Sequence, residues 1–388
     1  MERRAFIKSL ALCGLSLSLG ANLVACSSKA QRRFVSAATN HQGEHFVVAF
    51  DKAGNLLNQV KIDNRGHDLL MLDSERVVAF SRRPFTKLFV VNLAQNQLEK
   101  TINAEQGFHF YGHGVFDSKR KQLITTENHI ESAGGYLVVR NTHSFAVEKR
   151  VPSGGIGPHQ CALMPDGEHI VVANGGIKTH PDKGREKLNL ASMAPNLSYI
   201  HLDTGKLVES VTPPHFQLSL RHLAVANSGE VIVGAQYQGN YRDAHPLVFS
   251  HKLGRELQPL QAEPKFWQNF EQYVASIAIA DSDNRIAVTS PRGAIVAYWQ
   301  LDNHQFIRHE RFADCAGVAS AQNEFIVTNG KGQVINDSKN MPIFQLQPLR
   351  FDNHLNLTES HLELTSTPYR PPIKAYFLCL IINQICWF

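Results

Sequence analysis

The chain has 388 residues, 43% of them hydrophobic and 19% charged, with a formal net charge of +5. That length suffices for a large core or several domains. Setting aside Glu2, Arg3, Arg4 and Lys8 at the N-terminus leaves +3, too weak a charge to point to nucleic acid. Histidine is the unusual residue, with 19 copies and none in residues 1–25.

The first element is a leader. Arg3-Arg4-Ala5-Phe6-Ile7-Lys8 resembles a twin-arginine export signal, an address read by a receptor. Residues 10–24 are apolar but too short and too rich in small residues to span a bilayer, so they fit a signal h-region. Leu23-Val24-Ala25-Cys26 then resembles a bacterial lipobox, in which Cys26 is acylated and becomes the new N-terminus. The alternative is an ordinary signal with a chance cysteine. The lipoprotein reading makes residues 1–25 a signal and 26–33 a linker. It predicts a chain exported already folded, facing the periplasm, and held to a membrane only by its lipid. Ser27, in place of Asp, favours the outer membrane.

Residues 33–62 then supply three short strands, "RFVSAAT", "HFVVAF" and "LLNQVKI". Next comes a repeat. "GHDLLMLDSERVVAFSRRP" from Gly66, "GHGVFDSKRKQLITTENH" from Gly112, "PHQCALMPDGEHIVVANGG" from Pro158 and "RHLAVANSGEVIVGAQYQG" from Arg221 share one plan. Each runs His, apolar strand, polar turn, apolar strand. "ASIAIADSDNRIAVTSPRG" from Ala275 and "DCAGVASAQNEFIVTNGKG" from Asp314 follow it with Ser276 and Cys315 in the His position. Two further strands complete each unit, as in "GGYLVVRN" and "AVEKRVP". Four strands per unit of about 45 residues is the signature of a β-propeller blade. "LRFDNHLNL" from Leu349 is a single strand left over at the end. It can complete the three-stranded start, and that closure removes two exposed sheet edges. The expectation is an all-β, seven-bladed β-propeller over residues 34–357. Its architecture is of the YVTN/WD40 type but without Trp-Asp motifs, and its last blade is closed by the N- and C-terminal strands.

The first strand of each blade lines the channel, so the aligned positions form a ring: His67, His113, His159, His222, Ser276, Cys315 and, from the closing strand, His354. Three roles fit these histidines: hydrogen bonding within the blades, metal or haem ligation, and acid–base chemistry. Neutral imidazole binds iron, copper and zinc, which are the candidate ions. At most three or four of the side chains can share one ion. Loops after the second strands gather Arg82, Arg83, Glu127, His129, Asn174 and Arg292 at the same end. Residues 174–198 are a long insertion whose His180, Asp182, Lys183 and Arg185 are placed over the channel mouth as a lid, or else form a solvated loop. Glu127 can ligate a metal or pair with an arginine.

Other signals fail. "HQGEH", His41 to His45, matches a zinc-protease pattern that needs a helix, but here it joins two strands. There is no Walker A loop, G-x-G-x-x-G, G-x-S-x-G or C-x-x-C. A Cys161–Cys315 disulfide fits an oxidising compartment, and the sequence leaves that pairing open.

"RGH", "HFYGHGVF", "GIGPH", "LMPDG", "VANGGIKTHPDKGREKLNL", "LSLRHLAV", "TSPRG", "DCAGV" and "FDNHL" resemble the domain of unknown function 1513 family. The resemblance covers residues 34–357. It implies an exported propeller without an assigned activity, encoded near imelysin-type lipoproteins, and so a place in periplasmic iron or other metal handling with iron-handling proteins as partners. It brings no catalytic residues. Residues 358–388 depart from the family and end in an apolar tail, read as a frameshift or read-through product or else as a segment packing on the propeller or a partner. The leading functional expectation is a monomeric, lipid-anchored propeller that binds a metal, a metal complex or a partner at its His-rich face. A metal- or His-dependent oxidoreductase or lyase is the second, and an interaction scaffold without metal the third.

Overall fold

Strands such as Arg76–Ser81 (RVVAFS), His169–Asn174 (HIVVAN) and Val231–Tyr237 (VIVGAQY) are continuous apolar runs, buried almost throughout. A strand that is apolar on both faces needs a packed layer on each. Stacked blades provide those layers. The computed structural model of the protein is a seven-bladed β-propeller, with seven four-stranded antiparallel sheets. It describes residues 33–358 apart from 83–84, 322, 338–343 and 347. Arg3, Arg4, Cys26 and Arg83, and the tail beyond residue 358, lie outside the described residues.

Blades 1 to 6 begin with the strands Gly66–Met71, Phe108–Asp117, Pro158–Leu163, Leu218–Val225, Ser276–Ala280 and Cys315–Ala321. Blade 7 joins the two ends of the described chain. Arg350–Thr358 is its innermost strand and pairs with Arg33–Thr39, followed by His45–Phe50 and Leu56–Ile62. These seven innermost strands touch in a closed cycle around the axis. The composite blade read from the sequence is therefore the one that forms.

The core is a ring of layers between blades. Val78, Phe80, Phe110 and Leu123 fill the space between blades 1 and 2. Ile124, Leu137, Ile170 and Val172 do so between blades 2 and 3. Outermost strands such as Phe306–Arg311 alternate between half-buried and exposed residues, because only one of their faces is covered. Asp73, Asp117 and Asp166 each accept two backbone N–H bonds in the hairpin after a first strand, which sets the polar turn of the repeat. His41 lies in a turn and His45 in a strand, so "HQGEH" lacks the helix that zinc-protease chemistry requires. Cys161 and Cys315 are free, buried thiols in different inter-blade layers, so the disulfide considered from the sequence does not form. Among the described residues no helix is long and apolar enough to cross a membrane.

Candidate functional site

Regular β-alternation would not aim every aligned histidine at the axis. The strands achieve it with bulges, in which an extra residue breaks the alternation and redirects side chains. Register slips between Gly66 and Leu69, between Phe110 and Gly114, between Pro158 and Cys161, and between Leu220 and His222. Each interval contains or ends on the histidine of its blade. In blade 7 the slip lies between Ser36 and Ala38, opposite His354, and the Ser36 hydroxyl donates to the His354 carbonyl at 2.7 Å. Blade 5 carries Ser276 and pairs without a slip.

The five imidazoles meet on the axis. Ring centroids are 4.6 Å apart for His113–His159, 4.7 Å for His159–His222, 4.9 Å for His222–His354, 4.8 Å for His354–His67 and 4.9 Å for His67–His113. All five residues are buried. Donor atoms of His67, His113 and His354 lie within 4.8 Å of one another, as do those of His113, His159 and His222, so His113 belongs to both triads. Thr126 ties the arrangement together by donating to the His113 and His159 carbonyls, both at 3.1 Å. Gly112 has φ +100°, and a Cβ there would meet the His67 ring at 2.8 Å, so two rings of neighbouring blades close up only because this residue is glycine.

Two carboxylates orient two of the rings. Asp68 Oδ2 lies 2.9 Å from His113 Nδ1, and Asp352 Oδ1 lies 3.1 Å from His67 Nδ1. A carboxylate only accepts, so both rings carry hydrogen on Nδ1 and present the Nε2 lone pair. Each carboxylate serves the histidine of the next blade. Asp352 is held by Arg65 Nε at 2.5 Å and by Arg82 Nη1 at 3.2 Å. Burial works to raise both carboxyls, but the imidazoles around Asp68, and His67 with the two arginines around Asp352, outweigh it and hold both far below the usual range. Four of the rings favour the neutral form. Burial, reinforced by neighbouring imidazoles, holds His67, His159 and His222 well below the usual value, and it lowers His354 to about 4. Nε2 of His113, Nδ1 of His159, Nδ1 of His222 and Nε2 of His354 are buried and make no hydrogen bond to any described residue.

Above the rings opens a cavity of about 760 Å³. His67, His159 and His222 reach it from the axis, while Arg82 and Arg292 line it from loops after second strands. The insertion after Asn174 contributes Ile177, Thr179, Arg185 and Lys187 to its wall. His180 instead caps a short turn, accepting from the Asp182 N–H, and Asp182 points to solvent.

Other predicted residues stand apart from the rings. Cys315 directs Sγ at the carbonyls of Ile295 and Ser290, at 3.0 and 3.5 Å, and burial pushes its thiol up to about 12, so it is no partner for the imidazoles. Glu127 is buried against Arg140, with Oε1 2.7 Å from Nη2, so it pairs within its blade and does not face the channel. Asn174 is fully buried and joins blade 2 to blade 3 through Ser153 and Ser198. His129 bonds Ser132 at the rim. The sequence reading missed Asp68, Asp352, Arg65 and Arg221. The available signal was an aspartate within two residues of an aligned histidine, in "GHD" and "FDNH".

The family model for the protein of unknown function DUF1513 matches residues 60–358, which contain all five histidines and both carboxylates. The chain belongs to the DUF1513 family. A comparison with curated proteins finds no match. Among solved structures, hydrazine synthase of Kuenenia stuttgartiensis aligns with a TM-score of 0.58 at 12% identity, covering 80% of this chain and 95% of that one. At that identity the likeness is one of fold alone. Membership of the DUF1513 family assigns no activity, so any chemistry has to be read from the site.

Proposed function

We propose that this protein binds one transition-metal ion on the propeller axis, through His113 together with either His67 and His354 or His159 and His222. The observation that supports this most is the set of four buried imidazole nitrogens without hydrogen-bond partners among the described residues, on histidines of the two triads that share His113. Leaving such atoms unsatisfied costs about 1–3 kcal/mol each, and natural structures rarely do so without a ligand, water or ion. The carboxylate–imidazole pairs at His67 and His113 are the arrangement that fixes ring orientation and raises basicity in metal sites. An all-imidazole donor set suits zinc, copper and iron, and the burial that disfavours protonation of His67, His159, His222 and His354 keeps their lone pairs available. With the leader at Arg3-Arg4 and the lipobox at Cys26, the reading is of an exported, lipid-anchored metal-binding propeller facing the periplasm.

The test is elemental analysis of the purified full-length chain beside His113→Ala and a His159→Ala/His222→Ala double variant, with folding followed by thermal melting. We expect about one equivalent of metal per chain in the parent and loss from His113→Ala, which removes the shared ligand. No metal in the parent, even after reconstitution with zinc, copper(II) and iron(II), overturns the reading. Retention by the double variant assigns the ion to His67, His113 and His354, and loss assigns it to His113, His159 and His222.

A further inference from the structure

The wall of the cavity over the imidazoles is strongly cationic. Arg65, Arg82, Arg185, Lys187, Arg221, Arg292 and Arg350 line it, drawn from four blades and from the insertion. Asp314 is the one acidic residue among the described lining residues, and burial raises its carboxyl from the ordinary value. Arg65 and Arg82 are engaged with Asp352 beneath the wall, while Arg292 and Arg350 add positive charge to it from blades 5 and 7. Arg292 lies with its guanidinium 4.5 Å from the Tyr273 ring centroid, a stacking that fixes its direction. Neutral polar groups, Thr179, Gln236, Gln238 and Asn353, complete the lining. A cleft walled by protein concentrates the field of charges of one sign. Its 760 Å³ lies within the roughly 300–1,000 Å³ of small-molecule sites and far exceeds the needs of a monatomic ion.

We infer that this cavity binds a small, multiply charged organic or inorganic oxyanion, bearing carboxylate or phosphate groups, directly over the imidazole cluster. Guanidinium groups match both oxyanions in bidentate fashion. The anion enters from the face where His67, His159 and His222 are reached, so a metal ion held there would have it as an outer ligand. The inference goes beyond metal binding and stands on the cavity wall alone.

The experiment titrates citrate and pyrophosphate by calorimetry into the full-length chain, first stripped of metal with a chelator and then loaded with zinc. An Arg292→Ala/Arg350→Ala variant is titrated alongside, with melting as the check on folding. Should that variant fail to fold, Arg292→Glu alone takes its place. Expected is saturable binding of about one anion per chain to the stripped parent, weakened about tenfold or more in the variant. Binding of citrate alone identifies a carboxylate ligand, and binding of pyrophosphate alone a phosphate one. Absence of saturable binding of both anions at about 1 mM, or equal affinity in parent and variant, overturns the inference. Because the stripped protein is titrated first, the outcome is separate from whether the imidazoles hold metal.

Discussion

At the scale of single residues, the site depends on groups that never face the cavity. Asp68 sits one position after His67 in the chain, yet it bonds His113 of the following blade at 2.9 Å and also accepts the Leu69 N–H. Its role is to hold the His113 proton on Nδ1 and aim Nε2 at the axis. Asp68→Asn keeps the shape and removes the charge. Metal affinity, read by competition with a chromophoric chelator, should fall by about 10–100-fold while the melting profile stays cooperative. Unchanged affinity would show that Asp68 serves folding alone. Residue type and position were legible in the repeat for all five histidines. The pairing of aspartates with histidines was not, because it crosses between blades. Cys315 misled for a related reason: it occupies the aligned position, but its thiol turns to two carbonyls in the layer beside blade 5.

At the scale of elements, two irregularities shape the molecule. One is the bulge that redirects each histidine. A repeat aligned by apolar strands locates the strand but carries no mark of the slipped register. The other is the connection between blades 4 and 5, where the short helical turn Pro264–Phe270 buries Trp267 and Phe270. Trp267 stacks on Trp299 with centroids 5.8 Å apart and planes 12° from parallel, and Phe266 meets Phe306 at 4.4 Å. Such a plug covers one flank of blade 5. Trp267→Ala empties it and should destabilise the fold by about 3–5 kcal/mol, measured as a lowered urea midpoint at unchanged slope. A shift below about 1 kcal/mol would mean that the layer collapses onto the space.

At the scale of the whole molecule, folding gathers five imidazoles into one buried place, and that links stability to pH. Burial holds His67, His159 and His222 well below the ordinary imidazole value and His354 at about 4. The same groups titrate near pH 6.5 in the unfolded chain. Below that pH the unfolded chain takes up protons that the native chain does not. The stability these histidines contribute is therefore full above about pH 6.5 and is lost as pH falls toward about 4. The melting temperature of metal-free protein should drop across that window, and a flat profile would contradict the burial of the cluster. The sequence by itself determined the number of blades, the closure of the last one by both ends of the propeller, and the identity of the five axial histidines. Those follow from a repeat whose apolar spacing, polar turns and aligned residues are local properties of the chain. Only the tertiary structure decided which histidines are neighbours, which carboxylates support them, and that Asn174 ties blade 2 to blade 3. It also decided that cationic residues from distant parts of the chain form one wall. Those relations run between blades, and the ring joins residues as far apart in the chain as His67 and Asp352.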